Sequence, residues 1–321
     1  MKYLFIAFSL SLVAVYAQDS SVQTTTSVDI NGRRVTDGPQ IDRTRSANSS
    51  ETTERMRSVN GRLVPIERVE ERVLRSDAGG RTVERIIHRF DANGNPTAPV
   101  RETIDEQKRP DGSSTVQTTR YRGDINGSMQ LVEKTTTNTQ KSGSTETTQT
   151  EVQRPTANGI GTVEKKEIVR VQQGNGFHED ATTYRPTGNG GFNVAVRQTT
   201  EHTEQGGQSS DNTAEYEAGP EGRLQLHSQT VTNTVTNSDG SKASTVNVFG
   251  QNVPGTVDPT GKLKLYEQQL IDSRPGAGNS VIETLSVRRP TVSDPNTLGP
   301  AKEISETVCK GNCGSGANQA Q

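Results

Sequence analysis

The sequence is poor in the residues that build a thick hydrophobic core. It contains no tryptophan and only six phenylalanines and six tyrosines, and 28% of its 321 residues are hydrophobic. This apolar share is well below that of an ordinary soluble domain. A chain of this kind is either disordered or built from elements that each bury one thin face.

Long apolar runs are equally scarce, and the only one lies at the N-terminus. Met1-Lys2 is followed by "YLFIAFSLSLVAV", and the small residues Val15 and Ala17 precede Gln18. This pattern predicts a signal peptide over residues 1–17, with a retained anchor as the alternative. The mature chain is therefore expected to be secreted, or to lie in the periplasm or at the cell surface.

Charge of either sign is not in excess, so charge does not select a partner. The 36 basic and 38 acidic residues are interspersed and leave a formal net charge of −2. A nucleic-acid-binding protein would show a basic stripe with interleaved aromatic residues, and none is visible. The expected partner is an unidentified protein or polysaccharide outside the cytoplasm.

Turn signals, in contrast, are abundant and recur with a fixed period. Glycines that mark one set of turns follow each other at steps of about 32 residues. They are Gly32, Gly61, Gly94, Gly127, Gly159, Gly190, Gly222, Gly261 and Gly299. A second set, including "DAGG" at 77–80 and "DGSS" at 111–114, lies about midway between them. Because tight hairpin turns need φ > 0, these Asn, Asp and Gly residues predict a turn, strand, turn, strand repeat.

The segments between turns show the alternation of half-buried strands. Met129 and Leu131 lie two and four residues after a turn glycine, and the same spacing recurs in later repeats. One segment, "PIERVEERVLRSDAGG", has Ile66, Val69 and Val73 at helical spacing, but the repeat register favours a strand there.

The predicted fold is all-β. It is an elongated array of about eight tandem antiparallel β-hairpins over residues 18–294, forming a thin, single-layer or solenoid-like sheet. Residues 295–321 are expected to form a flexible tail that carries the cysteine pair.

Aromatic residues, though few, occupy one recurring position at the end of the second strand of a repeat. They are Phe90, Tyr121, Tyr184, Tyr216 and Phe249, which we call the aromatic column; Val152 is expected to take this place in one further repeat. We expect these rings to pack on the apolar residues of the next strand. A row of rings that stack on sugars is the alternative.

Motifs for catalysis are missing. The sequence has no HExxH, no GxSxG and no P-loop, and its four histidines are expected at solvated strand positions. We therefore expect no enzyme activity and no cofactor.

One turn has the spacing of a calcium loop. Asp91, Asn93, Asn95 and Glu102 offer oxygen atoms at EF-hand offsets, but Pro96 stands where that loop requires glycine. A turn stabilised by the Asp91 side chain is the favoured interpretation, and a weak Ca²⁺ site is the alternative.

The only two cysteines, Cys309 and Cys313, lie close together near the C-terminus. In an oxidising compartment they predict a local disulfide, with an intermolecular bridge or a thiol–metal role as alternatives. Taken together, these features predict an exported, non-catalytic repeat protein that serves as a structural, adhesive or interaction element. The alternatives are a secreted carbohydrate-binding or hydrolytic protein and a fibre-forming matrix protein.

Overall fold

The computed structural model shows a 19-stranded antiparallel sheet. It describes residues 17–29, 31–47, 49–124, 126–219, 221–251, 262–291, 294 and 297–311. The strands are β1 (Ala17–Val28), β2 (Arg34–Thr36), β3 (Gln40–Ala47), β4 (Ser50–Val59), β5 (Arg62–Asp77), β6 (Gly80–Arg89), β7 (Val100–Lys108), β8 (Ser114–Gly123), β9 (Met129–Ser142), β10 (Thr145–Thr156), β11 (Gly159–Gln173), β12 (Gly176–Pro186), β13 (Phe192–Gln205), β14 (Gln208–Ala218), β15 (Leu224–Thr236), β16 (Lys242–Gly250), β17 (Lys264–Gly276), β18 (Ser280–Arg288) and β19 (Lys302–Gly311).

The predicted turns form because Asn, Asp and Gly occupy the positions that need them. Asn60 and Gly61 both have positive φ, 51° and 77°, as a two-residue hairpin turn requires. In the longer turn between β8 and β9, the Asp124 carboxylate accepts hydrogen bonds from the backbone N–H groups of Asn126 and Ser128. Apart from β2 and β3, which both pair with β1, consecutive strands pair antiparallel, and the predicted antiparallel meander is confirmed.

The sheet closes on itself at β1. One edge of β1 pairs with β19, from Ser21 opposite Gly311 to Ser27 opposite Ser305. Its other edge pairs with β3 and then with the short β2. Because β2 and β3 share one edge of β1, the ring has 18 strand positions. The expectation of an open, elongated, thin sheet is therefore wrong: the chain forms a closed 18-strand barrel.

The strand registers set the size of this barrel. Following them once around the ring displaces a residue of β1 by about 22 positions. With strands about 4.8 Å apart, this stagger corresponds to a tilt of about 40° and a backbone radius of about 18 Å.

A β-bulge recurs at the same end of the barrel in seven hairpins. In the hairpin of β8 and β9, Arg120 pairs with Glu133 and Tyr121 with Leu131, so Val132 is left without a partner in the ladder. The residues left over in this way are Ile66, Val132, Val163, Ala195, His227, Tyr266 and Ile304. Bulges increase the local twist and bend the strand, as the rim of a barrel requires.

Two sequence expectations about individual segments have clear outcomes. The ambiguous segment around Ile66 is part of β5, so the strand interpretation is confirmed and the helical spacing was misleading. The C-terminal region differs from the expected tail: residues 302–311 form β19, which pairs with β18 and β1 and completes the ring. Within the described ranges, no helix is long and apolar enough to cross a membrane.

Candidate functional site

Alternation along the strands gives the barrel two distinct faces. The first face carries Val83, Glu102 and Ala181, and the second face carries Tyr121 and Tyr184. On the first face these three residues are only 4–5% exposed. Side chains converge on the concave side of a curved sheet, so we assign the first face to the lumen.

The lumen face carries a row of ion pairs across β5–β10, which we call the charged ladder. Its members, in spatial order, are Arg81, Glu71, Arg85, Glu102, Arg120, Glu133 and Arg154. The successive N–O distances are 3.1, 2.8, 3.5, 2.8, 3.6 and 2.9 Å. Each carboxylate lies between two guanidinium groups, so the ladder exposes little uncompensated charge.

Glu102 is the most enclosed member of the charged ladder. Its side chain is 6% exposed, whereas those of Arg85 and Arg120 are 35% and 45% exposed. Burying an unpaired carboxylate costs several kcal/mol. The two arginines compensate that cost, which explains why a glutamate is tolerated at the least exposed position of the wall.

Threonines provide most of the remaining polarity of the lumen face. Their hydroxyls hydrogen bond across neighbouring strands, as between Thr137 and Thr150 at 3.1 Å and between Thr200 and Thr213 at 3.1 Å. The hydroxyls and charges of this face can exchange a protein partner for water, whereas Val83 and Ala181 on the same face are apolar.

The aromatic column lies on the second face, beside the recurring bulges. Four of its members stand directly opposite an apolar residue of the next strand, as the sequence pattern predicts. The pairs are Tyr121 with Leu131, Tyr184 with Val194, Tyr216 with Leu226, and Phe249 with Leu265. The fifth member and the expected place of Val152 both depart from the pattern. Phe90 lies just past β6 and bridges to Pro96, and Gln153, rather than Val152, occupies the aromatic position in β10.

A cleft of about 680 Å³ lies beside the aromatic column, between the turns that follow β12 and β14. Its walls include Tyr184, Phe192 and Val194, with Asn193 and Glu221 as polar groups. One side of the Phe192 ring is covered by the Lys165 ammonium, 4.7 Å from the ring centroid. The cleft leaves open the sugar-stacking alternative for these rings, which remains a prediction.

The residues with calcium-loop spacing do not converge on one point. The Asp91 carboxylate accepts hydrogen bonds from the backbone N–H groups of Asn93 and Asn95 and from the Asn95 side chain. These hydrogen bonds, mainly those from Asn95, lower the pKa of Asp91 below its usual value. Glu102 lies on β7 and is held by Arg85 and Arg120. The arrangement favours the turn interpretation.

The cysteine pair is only partly covered by the structure. Cys309 lies on β19, opposite Gln23 of β1 and Val281 of β18. Cys313 lies outside the described residues, so the disulfide between them remains a prediction.

Sequence reasoning missed a polar cluster around His178. Its Nδ1 atom lies 2.5 Å from Glu201 of the next strand, and its Nε2 atom lies 3.5 Å from Asp180. Asp180 in turn accepts two hydrogen bonds from Arg197, at 2.8 and 3.0 Å. Glu179, the immediate neighbour of His178, points to the other face. Only the register between β12 and β13 reveals the Glu201 contact.

Comparisons with known proteins give a likeness of overall structure only. No protein-family model and no curated protein matches the sequence. The structure is similar to OmpT, an outer membrane protein of Vibrio cholerae folded in vitro, with a TM-score of 0.41, 7% identity, and coverage of 93% of this chain and 99% of that one. For OmpT expressed in the outer membrane, the values are 0.34, 7%, 92% and 94%. For a porin-like protein of Bacteroides uniformis, they are 0.23, 9%, 91% and 97%.

These findings correct the function and the location expected from the sequence. A structural or adhesive repeat protein was expected because an open array leaves long strand edges for docking, but both edges of β1 are paired, so among the described strands only the short β2 keeps an edge without a partner. A secreted, periplasmic or cell-surface location was expected, whereas both OmpT structures are of outer membrane proteins. Both expectations are therefore withdrawn. The absence of enzyme activity has not been tested and remains a prediction.

Proposed function

We propose that this chain forms a hollow barrel of the outer membrane whose lumen is an aqueous passage for polar solutes. The observation that carries this function is the closure of the 18-position ring through β1. Barrels of about eight strands are filled by their own side chains, whereas those of about 16–18 strands leave a channel.

The dimensions support a passage. The backbone radius is about 18 Å, and the side chains that point inward take up about 5 Å of it. This leaves a lumen with a diameter of roughly 25 Å. The charged ladder and the threonine rows supply polar groups to this wall without a large excess of one charge, and apolar residues such as Val83 and Ile104 lie between them. We therefore expect passage of polar solutes with weak ion selectivity.

Lipid contact is the most demanding part of this function. A closed barrel satisfies its backbone hydrogen bonds internally, as a bilayer requires. The second face, however, carries charged side chains at mid-strand, and an arginine at the bilayer midplane costs about 2–4 kcal/mol. Several of these charges are paired across strands, including Arg101 with Glu84 at 2.7 Å and Arg197 with Asp180 at 2.8 Å. Such pairing lowers the cost of contact with lipid.

The test reconstitutes the purified full chain into planar bilayers and into liposomes that contain a polar dye. We expect stepwise ion conductance and dye release, together with co-flotation of the protein with the liposomes. Folded protein that co-floats but shows no conductance would refute the passage, and protein that never co-floats would refute the membrane location.

A matched pair of variants tests the assignment of the lumen. Thr230 and Gln229 are neighbours on β15 that face opposite sides of the sheet. Thr230→Lys adds a positive charge to the lumen wall and should shift the conductance toward anions, because a fixed charge raises the local concentration of its counter-ion. Gln229→Lys adds the same charge outside and should not. The opposite result would show that the second face lines the lumen.

A further inference from the structure

We propose an oxoanion-binding site on the second face, at β3–β5, that recognises a phosphate or sulfate group. A cavity of about 190 Å³ lies there. Its walls are formed by Arg43, Arg45, Thr52, Glu54, Arg68 and Glu70. The site lies across the wall from the proposed lumen and is independent of the proposed passage.

The strand registers bring these six side chains together in two adjacent rows. Arg43, Glu54 and Arg68 form one row, because Arg43 is opposite Glu54 and Glu54 is opposite Arg68. Arg45, Thr52 and Glu70 form the other row in the same way. All six side chains therefore project from one face, with Thr52 at the centre of its row.

Two of the three arginines are not engaged by the protein itself. Within the part of the chain that the structure describes, Arg43 and Arg45 have no ion pair and no side-chain hydrogen bond. Most other arginines on this sheet pair with a carboxylate on a neighbouring strand, as Arg101 does with Glu84 at 2.7 Å. Arg43 and Arg45 therefore have donors available for a ligand.

A third donor in the cavity lacks a hydrogen bond. The Nε atom of Arg68 is buried and has no hydrogen-bond partner. Its nearest carboxylate oxygen, on Glu70, is 3.6 Å away, and Glu54 lies 4.0 Å from Nη1 of the same side chain. Because Nε is enclosed, it is the end of the Arg68 guanidinium group, on a side chain that is 40% exposed, that can donate to a ligand in the cavity.

These donors suit an oxoanion in particular. The guanidinium group presents parallel N–H donors that match two oxygens of a phosphate or sulfate, and a threonine hydroxyl can donate to a third. The cavity has three arginines and two glutamates, so its own charge is positive and a bound anion is favoured. Such a group belongs either to a free anion or to a lipid headgroup, and the chemistry of recognition is the same for both.

The experiment measures binding of inorganic phosphate by calorimetry and, separately, the increase in binding to phosphatidylcholine vesicles when phosphatidic acid is added to them, because a membrane barrel would bind both kinds of vesicle. We expect Arg45→Gln to weaken binding about tenfold or more in whichever arm shows it, since a hydrogen bond to a charged group is lost. Arg185→Gln is the matched control, because Arg185 is exposed and lies outside the cavity. It should change affinity less than about twofold, since an exposed charge at a distance is screened.

A second variant separates recognition from a structural role of these arginines. Glu70→Gln removes a competing acceptor and a like charge beside the anion, so it should tighten binding several-fold. A purely structural contribution of the cluster would not give opposite signs for the two variants. Binding of phosphate alone assigns the site to a free anion, and binding to phosphatidic acid vesicles alone assigns it to a headgroup. No binding in either arm, or equal effects of Arg45→Gln and Arg185→Gln, would overturn the site.

Discussion

Replacing Glu102 by glutamine removes the charge at the most enclosed point of the lumen wall. The Glu102 side chain is 6% exposed and accepts a hydrogen bond from Arg120 at 2.8 Å, with Arg85 at 3.5 Å. Breaking a fully buried ion pair costs about 3–5 kcal/mol. Both guanidinium groups retain solvent contact and a second carboxylate, which lowers that cost. We therefore expect the free energy of unfolding to fall by about 1.5–3 kcal/mol.

The matched control is Glu146→Gln, which removes an equivalent charge from an exposed ion pair. Glu146 lies 2.8 Å from Lys141, and the two side chains are 36% and 61% exposed. An exposed pair contributes little, so this variant should lose no more than about 0.5 kcal/mol.

Urea unfolding followed by circular dichroism gives both values, provided that the dependence on urea is the same for all three proteins. High salt should reduce the small effect of Glu146→Gln more than the effect of Glu102→Gln, because a buried pair is screened less. Equal losses for the two variants would show that the charged ladder is only a solvated surface and that the first face is not the crowded one.

Three further predictions follow from single positions. Tyr184→Ala should lower the free energy of unfolding by about 1–3 kcal/mol, because the ring packs opposite Val194; a loss no larger than that of Arg185→Ala in the same urea experiment would contradict this. Gly80→Ala should destabilise by about 2–4 kcal/mol, since a Cβ there would lie 1.9 Å from the carbonyl oxygen of Glu106. The control is Gly112→Ala, because Gly112 has a φ of +81° but open space around it. In thermal unfolding this variant should lower the free energy of unfolding by only about 1 kcal/mol. Equal losses for Gly80→Ala and Gly112→Ala would exclude the close contact with Glu106 as the cause. Hydrogen bonds from Asn95 lower the pKa of Asp91. The ionised carboxylate therefore stabilises the fold at pH values above its ordinary pKa of 3.8, and this stabilisation is lost as the pH falls through the lowered pKa. Acid unfolding of Asp91→Asn should lack this component, and an unchanged pH profile would contradict the assignment.

The parts of the fold that depend on neighbouring residues could be predicted from the sequence. The pairing of Tyr121 with Leu131 needs only one hairpin, ten residues apart, and the turn glycines fix where that hairpin reverses. The segment around Ile66 was ambiguous alone, and the repeat register resolved it because the same hairpin recurs before and after it. Local pattern and repetition were sufficient for the strands and their order.

Closure depends on distant pairs for which the sequence has no local signal. β1 and β19 stand at opposite ends of the described chain, and each resembles any other polar strand of the array. A hairpin has the same sequence pattern in an open sheet and in a barrel, since closure is set by the number of strands and their stagger. The Glu201 contact of His178 was missed for a related reason, because it requires the register of the next strand. The cavity with Arg43 and Arg45 likewise exists only once three strands are aligned.

The bulges connect the local pattern to the closed form. At the bulge in β9 the alternation slips, so that Leu131 faces one side while Glu133 faces the other, with Val132 between them. In the sequence this slip is visible as adjacent apolar residues, such as Leu131-Val132, where strict alternation would place a polar one. Each bulge adds twist of the same hand, and seven of them stand at the same end of the sheet, in alternate strand pairs from β4–β5 to β18–β19 with the exception of β6–β7. Their effect on curvature therefore accumulates instead of cancelling, so the bulges curve the meander, whereas closure itself is completed by the pairing of β1 with β19.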